Sequence, residues 1–293
     1  MHDDSPDHMT AHWQSEDGLS LFYRDFGGPE AAGLPVLCLP GLTRNSRDFI
    51  PLAQRLAPRH RVLCPDLRGR GYSEPDPDWR NYQPPTYVAD TWRLLDTLGL
   101  ERVIVVGTSL GGLMAMIMAA QQPNRLAGVV LNDIGPEIAP EGLARIRGYA
   151  GLLPPVSDWA AASAQIREVY EIALPDLDDA AWLEYARRSY REDAQGRPRL
   201  DYDPAIGRAV QEVSGEAPDP WPLFRALSMP TLALRGALSD ILSAATLARM
   251  QAEKPDLRVA VIPGRGHVPL LDEPASVAAI DDFLASLAHG GGA

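Results

Sequence analysis

The chain has 293 residues, of which 45% are hydrophobic and 23% are charged, a composition typical of a soluble globular protein with a sizeable core. Its formal net charge of −12 at pH 7 argues against nucleic acid or an anionic membrane as a partner. No apolar run reaches membrane-spanning length, and the acidic first residues lack the order of a secretory signal, so we expect a cytoplasmic protein. Cys38 and Cys64 both lie in apolar runs, which favours reduced core thiols over a disulfide or a metal pair.

The first segments of the chain predict a tail and then a hairpin. Residues 1–10 have the composition of a disordered tail, and we expect no function from them. Residues 12–15 and 19–26 alternate apolar and polar side chains around an Asp17-Gly18 turn. This pattern is typical of two antiparallel strands.

Strand and helix patterns then alternate along the chain. Unbroken apolar runs, typical of strands buried on both faces, occur at Pro35–Leu39, Arg61–Pro65, Val103–Val106, Leu126–Leu131, Thr231–Arg235 and Leu257–Ile262. Helical patterns occur at Arg47–Leu56, Thr86–Leu98, Leu110–Ala120, Ala244–Glu253 and Pro274–Leu287. The repeated βα units predict an α/β fold, with a mostly parallel, twisted sheet of about eight strands flanked by helices.

A helical block interrupts this alternation between about Pro136 and Pro218. Helices without any buried strand are predicted there at Glu141–Leu152, Asp158–Ala173, Asp178–Arg191 and Pro204–Val213. We therefore predict a helical cap at residues 136–218, inserted into a core of residues 11–135 and 219–289. The arginines of the cap mostly fall beside acidic residues, which favours a solvated surface; they are Arg145, Arg147, Arg187, Arg188 and Arg191.

A serine flanked by glycines stands where a predicted buried strand meets a predicted helix. The segment is Gly107-Thr108-Ser109-Leu110-Gly111, the Gly-x-Ser-x-Gly pattern of a nucleophile elbow. Glycines at these positions avoid collisions in a sharp turn that pushes the serine hydroxyl outward. The alternative is a glycine-rich turn in which the serine only caps the helix.

A serine nucleophile needs a basic partner, usually histidine. Of the six histidines, His267 alone follows the carboxyl end of a buried strand, which is the edge of the sheet where Ser109 is predicted. Of the others, His2 and His8 lie in the predicted tail, His12 in the first strand and His60 at the far end of a strand, and His289 lies in a second predicted tail that continues through Gly290-Gly291-Gly292-Ala293. The carboxylate that would orient His267 has two candidates, Asp240 and Asp133, each just after a strand.

Several motifs together resemble the serine hydrolases of the α/β-hydrolase fold. They are the elbow, Leu39-Pro40-Gly41-Leu42, Asp66-Leu67-Arg68-Gly69-Arg70-Gly71-Tyr72-Ser73, the Arg-Gly-x-x-Ser-Asp segment ending at Asp240, and Gly266-His267, in the family order of nucleophile, acid and histidine. The resemblance favours Asp240 as the acid, since the acid usually follows the strand after the cap. Some members place it before the cap, which keeps Asp133 as the alternative.

The oxyanion hole needs two backbone N–H donors. The elbow supplies one of them, the backbone N–H of Leu110, at the start of the helix. The resemblance implies Leu42 as the second donor, although Pro40-Gly41 stands where the family commonly has His-Gly, so the support of this loop has to come from elsewhere.

These observations predict a cofactor-free, metal-free serine hydrolase that cleaves a small-molecule carboxylic ester, with Ser109, His267 and Asp240 as its triad. Lactones, thioesters, carbon–carbon bonds and acyl transfer use the same residues and stay open, as does a non-catalytic binding role on the same fold. The sequence leaves open whether the chain forms a homo-oligomer.

Overall fold

A computed structural model describes residues 8–212 and 219–289 of the chain. Most of the predicted tail, residues 1–7, lies outside the described residues, as does Val213 at the end of the last predicted cap helix. The first strand begins at Met9, so the last two residues of the predicted tail belong to the sheet.

The described residues form ten strands and ten α-helices. The strands are β1 (Met9–Gln14), β2 (Ser20–Phe26), β3 (Gly33–Leu39), β4 (His60–Pro65), β5 (Val103–Thr108), β6 (Leu126–Asn132), β7 (Tyr190–Glu192), β8 (Pro198–Leu200), β9 (Thr231–Gly236) and β10 (Arg258–Ile262). The helices are α1 (Ile50–Leu56), α2 (Pro84–Thr97), α3 (Leu110–Gln121), α4 (Pro140–Tyr149), α5 (Trp159–Tyr170), α6 (Asp179–Ser189), α7 (Ala205–Gln211), α8 (Trp221–Arg225), α9 (Ala244–Glu253) and α10 (Pro274–His289).

Eight strands form one sheet in the order β1-β2-β4-β3-β5-β6-β9-β10. The strands β1 and β2 pair antiparallel, and β2 pairs antiparallel with β4. Every pair from β4 to β10 is parallel. The predicted fold class, a mostly parallel sheet of about eight strands flanked by helices, is confirmed.

Separate helical layers cover the two faces of the sheet. Successive side chains of a strand point to opposite faces. Leu37 and Val105 therefore pack with α2, α3 and α9, whereas Val36 and Ile104 pack with α1 and α10. Because both faces are buried, these strands are apolar throughout, as the sequence shows.

The segment between β6 and α8, which we call the cap, contains α4 to α7 and a small hairpin. Its own hydrophobic cluster includes Ile166, Tyr170, Trp182, Tyr185 and Tyr190. The hairpin pairs β7 with β8 antiparallel, and the sequence pattern did not predict it. Strands of three residues are too short to show a clear alternation of polar and apolar side chains. Within the described residues, no helix has both the length and the apolarity needed to cross a membrane.

Candidate active site

Ser109 lies at a sharp corner between β5 and α3. Its backbone angles, φ 52° and ψ −113°, fall in a region that residues other than glycine rarely adopt. Close packing explains the flanking glycines: a Cβ on Gly107 would lie 2.4 Å from the carbonyl oxygen of Gly111, and one on Gly111 would lie 2.1 Å from that of Leu39. The tight turn thus holds the serine at the carboxyl edge of the sheet.

His267 lies in the loop after β10, buried at 7% exposure, and its Nε2 is 2.9 Å from Ser109 Oγ. Two side chains hold this loop. Asn132, at the end of β6, donates a hydrogen bond of 2.9 Å to the carbonyl oxygen of Pro269. The carboxylate of Glu273 accepts hydrogen bonds from the backbone N–H groups of Leu270 and Leu271.

Asp133 is the carboxylate that contacts His267. Its Oδ2 is 2.7 Å from Nδ1 of His267, and its side chain is fully buried. The backbone N–H of Gly236 donates to Oδ1 at 2.8 Å, and the Ser239 hydroxyl donates to Oδ2 at 2.6 Å. Ser109, His267 and Asp133 therefore form a continuous hydrogen-bonded chain.

The structure does not place Asp240 in contact with His267, although the family resemblance favours Asp240 as the acid. The loop after β9 turns so that Ser239, and not Asp240, faces Asp133. Asp240 instead accepts two hydrogen bonds from Arg145 of α4, at 2.6 and 2.9 Å. Burial raises the pKa of Asp240, but the hydrogen bonds and charge of Arg145 outweigh it and hold that pKa below its usual value.

Leu42 lines the same pocket as Ser109, and Leu110 follows Ser109 directly in the chain. Leu110 is the first residue of α3, where backbone N–H groups lack helical partners. In the described part of the chain, the N–H groups of both leucines donate no hydrogen bond within the protein. A Cβ built on Gly41 would lie 3.8 Å from that of Ser109, so the loop before Leu42 passes directly beside the serine.

Arg70 supports this loop, and the sequence analysis missed that role. Its Nε donates a hydrogen bond of 2.6 Å to the carbonyl oxygen of Leu42. Its remaining donors reach the carbonyl of Arg68 and the hydroxyl of Tyr87, and its guanidinium lies 4.8 Å from the centre of the Tyr87 ring. A side chain at 1% exposure thus supplies support where the loop has Pro40 in place of histidine.

A pocket opens onto Ser109 and His267 between the core and the cap. The core contributes the loops at 40–44 and 267–271, and the cap contributes five side chains: Ile146, Tyr149, Tyr170, Tyr185 and Arg188. Burial raises the pKa values of Tyr149 and Tyr185, which keeps both phenols protonated at neutral pH. Among the described residues, no group of three His, Cys, Asp or Glu side chains could hold a metal ion.

Comparisons with known proteins show the family of this chain. A sequence profile described as the alpha/beta hydrolase fold matches residues 35–274. The chain belongs to the α/β-hydrolase family. Its fold is also that of a crystal structure of an α/β hydrolase from Novosphingobium aromaticivorans, with 46% identity and a TM-score of 0.90 over 95% of this chain and 98% of that one.

Two relatives of this α/β hydrolase carry names that describe an activity. A 3-hydroxybutyrate-oligomer hydrolase from Cupriavidus necator is 32% identical, covering 90% of this chain and 92% of the relative. A 2-(acetamidomethylene)succinate hydrolase from Mesorhizobium japonicum is 30% identical, covering 96% of this chain and 98% of the relative. The chain is thus an enzyme of a hydrolase family, and the names of these two relatives state different substrates.

Proposed function

We propose that the enzyme hydrolyses carboxylic esters of small molecules through an acyl-enzyme intermediate. The observation that carries this proposal is the chain of hydrogen bonds from Ser109 Oγ through His267 to Asp133, at 2.9 and 2.7 Å. A serine hydroxyl becomes an effective nucleophile when a histidine removes its proton and a carboxylate stabilises the imidazolium.

In the first half of the reaction, Ser109 Oγ attacks the ester carbonyl while His267 Nε2 takes the hydroxyl proton. The N–H groups of Leu42 and Leu110 hold the negative charge that develops on the carbonyl oxygen. The tetrahedral intermediate then expels the alkoxide, which receives the proton from His267. The products of this half are the free alcohol and an ester of Ser109.

In the second half, water attacks the acyl-enzyme and gives its proton to His267. The carboxylic acid leaves, and the proton returns to Ser109. Through its contact with Nδ1, Asp133 fixes the tautomer of His267 and stabilises the imidazolium. The name of the Cupriavidus necator relative, a hydrolase of a 3-hydroxybutyrate oligomer, supports an ester as the bond that is cleaved.

The test compares the wild-type enzyme with S109A and with S243A, a control serine that caps α9 away from the pocket. We expect S109A to lose hydrolysis of p-nitrophenyl butyrate and labelling by a fluorophosphonate probe, while S243A keeps both. Circular dichroism checks that each variant is folded. Ester hydrolysis retained by folded S109A would contradict the proposal, as would a wild-type enzyme that hydrolyses lactones or thioesters but no ester.

A further inference from the structure

The pocket beside Ser109 contains two arginines in very different environments. The Arg44 guanidinium is neutralised by Asp48, to which it donates two hydrogen bonds at 2.7 and 2.5 Å. It also contacts the Ser189 hydroxyl, and it lies 4.4 Å from the centre of the Tyr185 ring. Each of the three nitrogens of this guanidinium donates a hydrogen bond within the protein, and Asp48 balances its charge, so we count no net positive charge from Arg44 in the pocket.

Arg188 has no such partner. In the described chain, Arg188 forms an ion pair with Glu184, whose Oε1 lies 3.6 Å from Nε, which is too long for a hydrogen bond. Glu184 is itself 59% exposed, so water screens this interaction. Burial and then Glu273 raise the pKa of Asp272, an effect that the charge of Arg188 opposes, and Asp272 does not line the pocket.

The sum of these charges leaves the pocket positive. Arg44 and Asp48 cancel, and Arg188 remains as the unneutralised charge among the charged lining residues, on a protein with a formal net charge of −12. A guanidinium with free donors matches the two oxygens of a carboxylate, which it can bind through parallel hydrogen bonds. The sequence pattern had favoured a solvated surface for Arg188, whereas its side chain is only 21% exposed.

We infer that the substrate is an ester that also carries a carboxylate, and that Arg188 binds this group. The inference rests on the proposed esterase function and adds the substrate class to it. Tyr185, one turn before Arg188 on α6, lines the same wall of the pocket. The cap would thus select the acid function of the substrate, while the core cleaves its ester bond.

The experiment compares charged and neutral esters of the same shape. The charged set is monomethyl succinate, glutarate and adipate; the neutral set consists of the same esters with the free acid converted to a primary amide. Acetate esters of 3-hydroxypropanoate and 4-hydroxybutanoate, with their amides, place the carboxylate in the alcohol instead. The variants are R188Q and R187Q, since Arg187 is the neighbouring arginine of α6 and does not line the pocket.

We expect the wild type and R187Q to prefer at least one charged ester over its amide in kcat/KM. In R188Q this preference should fall on the order of 10-fold or more, mainly through KM, while kcat/KM for the amides stays unchanged. Equal rates on charged and neutral esters would overturn the inference and leave the esterase proposal standing. An equal loss on both sets in R188Q would also overturn it, because Arg188 would then only support the cap. No hydrolysis of any ester would overturn both proposals.

Discussion

Asp240 and Arg145 form a bidentate ion pair between the core and the cap, with nitrogen–oxygen distances of 2.6 and 2.9 Å. Asp240 lies in the loop after β9, and Arg145 lies on the first cap helix, α4. The pair occupies both oxygens of Asp240. It therefore ties the cap to the core, and the carboxylate of Asp133 is left to orient His267.

Substituting each aspartate by asparagine separates these two roles. We expect D133N to lower kcat by about 10³- to 10⁴-fold, because an amide cannot stabilise the His267 imidazolium and can favour the wrong tautomer. D240N should keep most of its kcat and change mainly KM, through a less firmly held cap. Steady-state kinetics on one ester measures both variants. A loss in D240N as large as that in D133N would contradict the assignment.

The choice between the two aspartates could not be made from sequence. Both residues follow strands that end at the same sheet edge, and β6 and β9 are neighbours. The order of elements and the single suitable histidine predict Ser109 and His267, because these depend on patterns along the chain. Which carboxylate reaches His267 depends on the path of two loops, including φ 54° at Asp133, and no local pattern encodes that path.

Ser239 acts on the triad through Asp133, since its hydroxyl donates to Oδ2 and accepts from the N–H groups of Ile241 and Leu242. We expect S239A to lower kcat by roughly 10- to 100-fold, because a hydrogen bond to a charged group contributes about 1.5–3 kcal/mol. The control is S243A, which removes a helix cap and should cost about 1 kcal/mol of stability with unchanged kcat. Chemical denaturation and kinetics on both variants test this. Wild-type kcat in S239A would contradict it.

Arg70 couples the Asp66–Ser73 loop to the oxyanion loop through the carbonyl of Leu42. We expect R70M to lower kcat by about 10-fold or more, because the donor at Leu42 is no longer held where charge develops. The matched control is Y87F, which removes only the 3.2 Å contact to Arg70 and leaves the Leu42 contact intact. Kinetics on both variants, compared at equal folded fraction, measures the difference. Equal losses in R70M and Y87F would show that the contact with Leu42 does not carry the effect of Arg70.

The role of Arg70 in holding the oxyanion loop could not be predicted from the sequence of the Asp66–Ser73 loop. A charged, glycine-rich segment indicates a loop, but it does not show which arginine points inward. Arg68 turns towards the carboxylates of Asp17, Asp76 and Asp90, whereas Arg70 turns towards Leu42. The two arginines are separated by one glycine, and only the folded path of the chain distinguishes them.

The Asp240–Arg145 pair also predicts how stability depends on pH. The pKa of Asp240 in the folded protein lies below its ordinary value of 3.8, because Arg145 outweighs the effect of burial. The unfolded state therefore binds a proton first as the pH falls, so the ionised pair stabilises the fold above about pH 4 and this contribution disappears below the folded pKa. The free energies of unfolding of the wild type and D240N, measured in urea, should differ most near pH 6, and the difference should shrink as the pH falls below about 4. D272N serves as the control of opposite sign: burial and then Glu273 raise the pKa of Asp272, so removing its charge should stabilise the protein at pH 6. A constant difference between the wild type and D240N from pH 6 to pH 3 would mean that the pair does not depend on the charge of Asp240.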